Sequence, residues 1–195
     1  MRALVTGGAG FIGSHIAERL VRKGWEIAVL DDLSSGSAGN MAAFLESIEF
    51  IEGSITDAKA VKKAVAGADY VFHEAALVSV VESISNPEKT HRINAEGTKN
   101  VLDASLNAGV KRVLFASSAA IYGDAEPPIT EGFAMKPLSP YGESKVEGEK
   151  LMKEFNRKGL ETVCLRYFNA YGPRQDPNSQ YSGVITRFIG KMLNG

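Results

Sequence analysis

Tyr141 and Lys145 stand four apart in Tyr141-Gly142-Glu143-Ser144-Lys145, directly after Pro140. On a helix that spacing puts both on one face, one turn apart, so an ammonium lies near a phenol oxygen. A neighbouring cation favours phenolate and lowers a tyrosine pKa from ~10 toward the range of a general base. A third polar group should complete such a site. Ser118, closing the run Leu114-Phe115-Ala116-Ser117-Ser118, is the candidate. Because Tyr and Lys at this spacing also occur on solvated helices, the pair gains meaning only from what surrounds it.

A second group does surround it. In Thr6-Gly7-Gly8-Ala9-Gly10-Phe11-Ile12-Gly13 the residues Gly7, Gly10 and Gly13 recur every third position, between a short apolar run and an amphipathic pattern. A tight turn, close approach of a pyrophosphate and helix-on-strand packing each need a residue without a side chain, and a helix N-terminus adds N–H groups and a positive dipole end. Some 20 residues on, where a ribose-binding acid is expected, Asp31 and Asp32 follow Ile27-Ala28-Val29-Leu30. An acid there accepts from ribose hydroxyls and repels a 2′-phosphate, which favours NAD over NADP.

The elements that must position these groups alternate. Short apolar runs rich in Val, Ile, Leu and Phe near 2–6, 26–30, 48–52, 69–73, 112–117 and 161–166 read as strands buried on both faces. Helical patterns fill 11–23, 57–66, 88–108, 141–158 and 183–193, with a weaker one at 40–47, and Tyr122 to Ser139 reads as a long loop. Six such alternations predict an α/β fold, a doubly wound parallel sheet with helices on both faces, whose ligands bind beyond the carboxyl ends of the strands.

Composition narrows the function. The 195 residues carry 22 Lys+Arg against 23 Asp+Glu, so no summed positive field draws nucleic acid or an anionic membrane. No apolar run approaches the ~20 residues of a membrane span. One cysteine, Cys164, fits a reducing compartment, and Met1-Arg2 leads into a run too short for a secretory signal, so cytoplasmic residence is expected. His15, His73 and His91 share no ligand spacing, and no metal is expected.

The chain resembles the extended short-chain dehydrogenase/reductase superfamily, and within it the NAD-dependent nucleotide-sugar epimerases. The resemblance runs through the cradle at 6–13, Asp31-Asp32-Leu33-Ser34-Ser35-Gly36, His73-Glu74-Ala75-Ala76, Asn94-x-x-Gly97-Thr98-x-Asn100, Ser117 to Gly123, the Tyr141/Lys145 pair, Leu165-Arg166-Tyr167-Phe168-Asn169 and Tyr171-Gly172-Pro173-Arg174. It implies a Rossmann-like domain over 1–195, with most of the substrate lobe beyond residue 195.

It further implies that Phe11 and Ile12 contact the cofactor through their backbone. Asp31, Asp32, Leu33, Ser35 and Gly36 would take the adenosine ribose and phosphate side, and Ser54 with Ile55 the adenine. Ala75, Ala76, Val78 and Asn94 would add further cofactor contacts, with Tyr141, Lys145 and Phe168 at the nicotinamide end. Ser118 and Tyr141 would face the sugar C4 hydroxyl, and Asn169 the substrate phosphates. The implied activity is 4-epimerisation of a UDP-hexose, UDP-glucose and UDP-galactose favoured, by a homodimer. Two departures stand out. Ser54 follows Glu52-Gly53 where the family usually has an acid, and Ala119-Ala120 replace the Asp-Glu pair of related 4,6-dehydratases, which favours epimerase over dehydratase. A uronate or N-acetylhexosamine epimerase, a decarboxylase or dehydratase, and a non-catalytic dinucleotide-binding domain remain the alternatives.

Overall fold

A computed structural model describes residues 1–176 and 184–194. Six strands, β1 (Arg2–Thr6), β2 (Glu26–Asp31), β3 (Ile48–Glu52), β4 (Tyr70–His73), β5 (Arg112–Ser118) and β6 (Glu161–Tyr167), form one sheet in the order β3-β2-β1-β4-β5-β6. Every pairing is parallel. The order reverses at β1, between β2 and β4, so a crevice opens beyond the carboxyl ends of β1 and β4.

Alternate residues of the strands feed two cores. Leu4, Ala28, Leu30, Val71, Val113 and Phe115 face one layer, containing α2 (Ala58–Val65), α5 (Gly97–Asn107) and α6 (Pro140–Arg157). Ala3, Val5, Ile27 and Val29 face the other, where α1 (Phe11–Arg22) packs through Ala17 and Leu20. These near-continuous apolar strands are the expected signature of a sheet covered on both faces. Among the described residues no helix is long and apolar enough to cross a membrane.

Two elements differ from the sequence reading. The helix expected over 88–108 is three pieces: α4 (Pro87–His91), a π turn at Arg92–Glu96, and α5, preceded by a further short helix, α3 (Val80–Ser85). The widened turn carries Asn94, whose side chain is buried and bonded both to the loop after β4 and to α6, and such a bulge re-aims one residue without ending the helix. The weak helix expected at 40–47 is two single 3₁₀ turns, Ala38–Met41 and Leu45–Ser47. Helix α7 (Val184–Asn194) closes the described chain with Phe188, Met192 and Leu193 exposed.

α6 docks on β5 where Gly148 meets the Phe115 ring, and a Cβ on Gly148 would lie 2.4 Å from Phe115 Cζ. Phe115 is itself buried, so the ring has little room to move aside. Gly148→Ala therefore lowers stability by about 1–3 kcal/mol from overpacking, although alanine is the better helix former by ~1 kcal/mol. Urea denaturation of the two proteins measures this.

Candidate functional site

The glycine turn closes over the top of β1. Gly7 adopts φ +69°, and a Cβ there would fall 2.7 Å from the Ala75 backbone nitrogen. The Gly10 N–H donates to the Gly7 carbonyl at 3.1 Å, and a Cβ on Gly13 would come within 2.2 Å of that same oxygen. The turn thus tolerates no side chain at either position. Helices α2, α3, α4 and α6 begin under side-chain caps from Asp57, Ser79, Asn86 and Ser139. α1 has none: its N-cap is Gly10. An uncapped N-terminus of a 12-residue helix, beside a turn that excludes Cβ atoms, fits the pyrophosphate of a dinucleotide.

Asp31 ends β2 against this turn. One carboxylate oxygen accepts from the Ala9 N–H and the other from the Leu33 N–H, both at 2.9 Å. Burial raises its pKa, those two N–H groups oppose the rise, and Asp32 adds to it. Leu33 sits at φ +57°, and Gly36 lies so close to Ala9 that a Cβ would meet its backbone at 2.8 Å, so 31–36 folds back on the cradle. Asp32 is partly buried, which works to raise its pKa. Hydrogen bonds from Ser34 and Ser54 outweigh that and hold it below its usual value. Ser54, standing where an acid was expected, therefore partners Asp32. The Ile55 side chain packs in the core, and Asn100 donates to its carbonyl at 3.1 Å.

The Tyr–Lys pair rides on the first turns of α6, started by Pro140 and capped by Ser139, whose hydroxyl accepts from the Gly142 N–H at 3.1 Å. Lys145 is 3% exposed. Its ammonium donates to the Ala116 carbonyl of β5 at 2.7 Å and stands 4.9 Å from the Phe115 ring centre and 5.7 Å from that of Tyr141. Desolvation lowers its pKa to about 8, against a supporting charge from Glu74. Tyr141 corrects the sequence reading. Its phenol is raised by burial rather than lowered by Lys145, and a hydrogen bond with Ser118 opposes the rise. The ammonium is beside the ring, but its bond goes to a backbone carbonyl.

Ser118, at the end of β5, also accepts from the Ala120 N–H at 3.1 Å. The three catalytic candidates thus meet above one strand. Phe168 and Asn169 follow β6 and are exposed, as is Val78 in the loop after β4. Ala75 and Ala76 line that loop, and the Ala75 N–H donates to the Thr6 hydroxyl at 3.3 Å. Asn94 is a brace: its amide accepts from the Leu77 N–H at 2.8 Å and donates to the Leu77 carbonyl and to Ser144 Oγ at 3.0 and 2.9 Å.

Sequence reasoning missed the tie beneath the site. Arg166 of β6 donates to both Glu149 carboxylate oxygens at 2.9 and 2.8 Å, to Tyr122 Oη at 2.7 Å and to the Glu131 carbonyl at 2.8 Å. Glu149 also accepts from Ser117 Oγ at 2.6 Å. α6, β5, β6 and the loop after β5 are thereby locked together. A charge inside an otherwise apolar strand was the available signal. Burial works to raise Glu149, and the bonds from Arg166 and Ser117 hold it below its usual value instead.

Fold and site define a dinucleotide-binding α/β domain with a Tyr–Lys–Ser centre at the carboxyl edge of its sheet. The chain belongs to the NAD dependent epimerase/dehydratase family, whose model matches residues 3–195. It is similar to a UDP-N-acetylglucosamine 4-epimerase of Methanobrevibacter ruminantium M1, solved with UDP-N-acetylmuramic acid, at 40% identity and TM-score 0.93, covering 100% of this chain and 63% of that one. A UDP-glucose 4-epimerase of Thermus thermophilus, solved with NAD, matches at 38% identity and TM-score 0.90 with the same coverage. A UDP-N-acetyl-alpha-D-glucosaminuronate decarboxylase of Bacillus cytotoxicus is 38% identical over 200 residues, 100% of this chain and 62% of that protein. The chain therefore spans somewhat less than two thirds of the length of these relatives.

Arg166→Ala leaves a largely buried carboxylate unpaired and costs about 3 kcal/mol at pH 7. Glu149 has a depressed folded pKa, so the pair's contribution is present above about pH 4.5 and is lost as pH falls through the folded value. Denaturation of parent and variant at pH 7 and pH 4 should show the gap narrowing in acid.

Proposed function

We propose that this chain is the cofactor-binding and catalytic portion of an NAD-dependent nucleotide-sugar 4-epimerase, with a UDP-hexose as substrate. The observation that carries the reading is the meeting of Ser118, Tyr141 and Lys145 above β5, beside the uncapped start of α1. The backbone at Gly7, Gly10, Phe11, Ile12 and Gly13 would hold the pyrophosphate, and Asp31 with Asp32 the adenosine ribose. Asn94 would hold the adjoining loop in place. When bound, NAD supplies a hydride acceptor for the sugar C4.

The residues supply the proton chemistry. Tyr141 takes the C4 hydroxyl proton on its phenol oxygen, Ser118 aligns that hydroxyl and offsets part of what burial costs the phenolate, and the Lys145 ammonium stands beside the ring. Burial of both Tyr141 and Lys145 makes the interaction between them stronger than in water and keeps bulk water from competing for the proton. The resulting 4-keto sugar recovers hydride on its other face, and Tyr141 returns the proton. Ala119 and Ala120 after the strand-end serine leave no acid pair there to drive loss of water from the sugar, which favours epimerase over dehydratase. Asn169 facing the substrate phosphates, homodimer assembly and cytoplasmic residence belong to the same proposal and rest on the family resemblance. The decarboxylase among the relatives keeps uronate chemistry as the second reading.

A proton NMR time course with UDP-glucose and NAD should show UDP-galactose forming. Tyr141→Phe should slow it 10²–10⁴-fold while NAD still binds; unchanged turnover would exclude Tyr141 as the base. Bound NAD without turnover of UDP-glucose, UDP-N-acetylglucosamine or a UDP-uronate would favour the non-catalytic alternative. The Asp31-Asp32 strand end predicts tighter binding of NAD than of NADP by fluorescence titration, and equal affinities would remove these acids from the ribose.

A further inference from the structure

Lys145 is surrounded on three sides by neutral groups: the Ala116 carbonyl, the Phe115 ring and Tyr141. The strand register brings a charged group to it: His73 pairs with Phe115, so Glu74, one residue past the end of β4, follows beside Ala116, the residue whose carbonyl holds the ammonium, and its charge acts on Lys145. Glu74 is fixed by its neighbours. Its N–H donates to the Thr6 carbonyl at 3.2 Å, its own backbone packs against Gly7, and Oε1 accepts from Tyr167 Oη of β6 at 3.2 Å. β4 and β6 flank β5 in the sheet, so carboxyl and phenol close over the strand end that carries Ala116 and Ser118.

We propose that Glu74 is a positioning residue for the catalytic ammonium: clasped by the Tyr167 hydroxyl, its carboxylate is the counter-charge that keeps Lys145 protonated beside Tyr141. The proposal rests on the reading of Tyr141 and Lys145 given above. It assigns Glu74 no contact with substrate.

The electrostatics follow the geometry. Burial pushes the Glu74 carboxyl up to about 7, while Tyr167 and Lys145 pull it down. Burial likewise pulls Lys145 down to about 8, and Glu74 holds it up. Tyr167 is raised by burial and by the Glu74 charge, so its hydroxyl stays a donor. His73, the neighbour on β4, is buried against the Phe115 ring and held between Thr6 and Thr98. Burial, and secondarily Lys145, lower it to about 3, so it adds no charge near neutrality. Between the two titrations both groups are charged and each favours the charged form of the other. Without the carboxylate, nothing of opposite charge offsets the desolvation of Lys145.

The test reads Lys145 directly, in the whole chain and without any sugar. Lysine is labelled with ¹³C at Cε, and the Lys145 signal is assigned by its loss in Lys145→Met. Its titration midpoint should fall by about one pH unit or more in Glu74→Gln and stay near the parent value in Glu74→Asp, which keeps the charge. An unchanged midpoint in Glu74→Gln would overturn the proposal, and so would an equal fall in both variants, because it would show the charge to be irrelevant.

Thermal melting supplies the second readout. The folded carboxyl keeps its proton up to about pH 7 whereas the unfolded one releases it near 4.5, so the parent loses stability as pH rises across that window. Glu74→Gln should gain Tm relative to the parent over the same window. A pH-independent offset would reduce Glu74 to a packing role. Neither readout needs turnover, so an inert enzyme with a shifted Lys145 would count against the epimerase reading alone, and an active enzyme with an unshifted Lys145 against the counter-charge alone.

Discussion

A cation sits inside the core stripe of α6, and the chemistry of the site depends on how that cation is kept there. Gly142, Lys145, Gly148, Met152 and Phe155 form the buried face of the helix, at the three- and four-residue steps an apolar stripe would occupy. Desolvation alone drives an ammonium toward neutrality, and a pKa lowered to about 8 corresponds to about 3 kcal/mol against the charged form. The Ala116 carbonyl accepts one of its three N–H bonds at 2.7 Å. A backbone carbonyl at the end of a parallel strand cannot swing away, so the bond fixes the ammonium relative to the sheet as well as stabilising it.

The cradle at α1 answers the opposite problem. There the fold leaves polar groups unsatisfied on the protein side. α1 begins without a side-chain cap although the four other capped helices show that this chain readily supplies Ser, Asp or Asn for the purpose. An N-cap contributes typically ~1 kcal/mol, so its omission at α1, which starts beside the crevice, is a cost to the free domain that an anion would offset on binding. Asp31 faces the same turn and accepts its Ala9 N–H, so a single acid braces the glycine turn from the end of β2.

Legibility in the sequence followed the kind of interaction involved. The six strands were readable because a doubly covered strand must be apolar at nearly every position, and the glycine turn because glycines recur every third position between strand and helix, two of which, Gly7 and Gly13, leave no room for a Cβ. Tyr141, Lys145 and Ser118 were readable through the periodicity of a helix and the end of a strand. The π turn was not, because a one-residue widening leaves the apolar spacing of 88–108 almost intact and shows only in where Asn94 points. The Glu149–Arg166 tie and the Tyr167–Glu74 clasp were hidden for another reason: their partners lie 17 and 93 residues apart, and only the strand order brings them together. The lowered phenol pKa failed because helical spacing places a lysine near a tyrosine but does not register how far the phenol is buried, and burial raises it.

Two kinds of alignment with different tolerances are combined in the site. Tyr141 and Lys145 share one helix, so their separation survives any rigid shift of α6. Ser118 belongs to β5, and its reach to Tyr141 depends on how α6 is seated on the sheet. That seating is set by Gly148 against the Phe115 ring, the Lys145 bond to the Ala116 carbonyl, Ser117 Oγ to Glu149, and the paired bonds from Arg166 to the same carboxylate, among other contacts. Ser117 and Ser118 are neighbours pointing to opposite faces of the strand, as the period of two requires. The inner serine is anchored to α6, so the outer one is presented to Tyr141 of the same helix. A disturbance of the Glu149 anchor should therefore reach the Ser118–Tyr141 contact through one peptide unit, while leaving the spacing of Tyr141 and Lys145 unchanged.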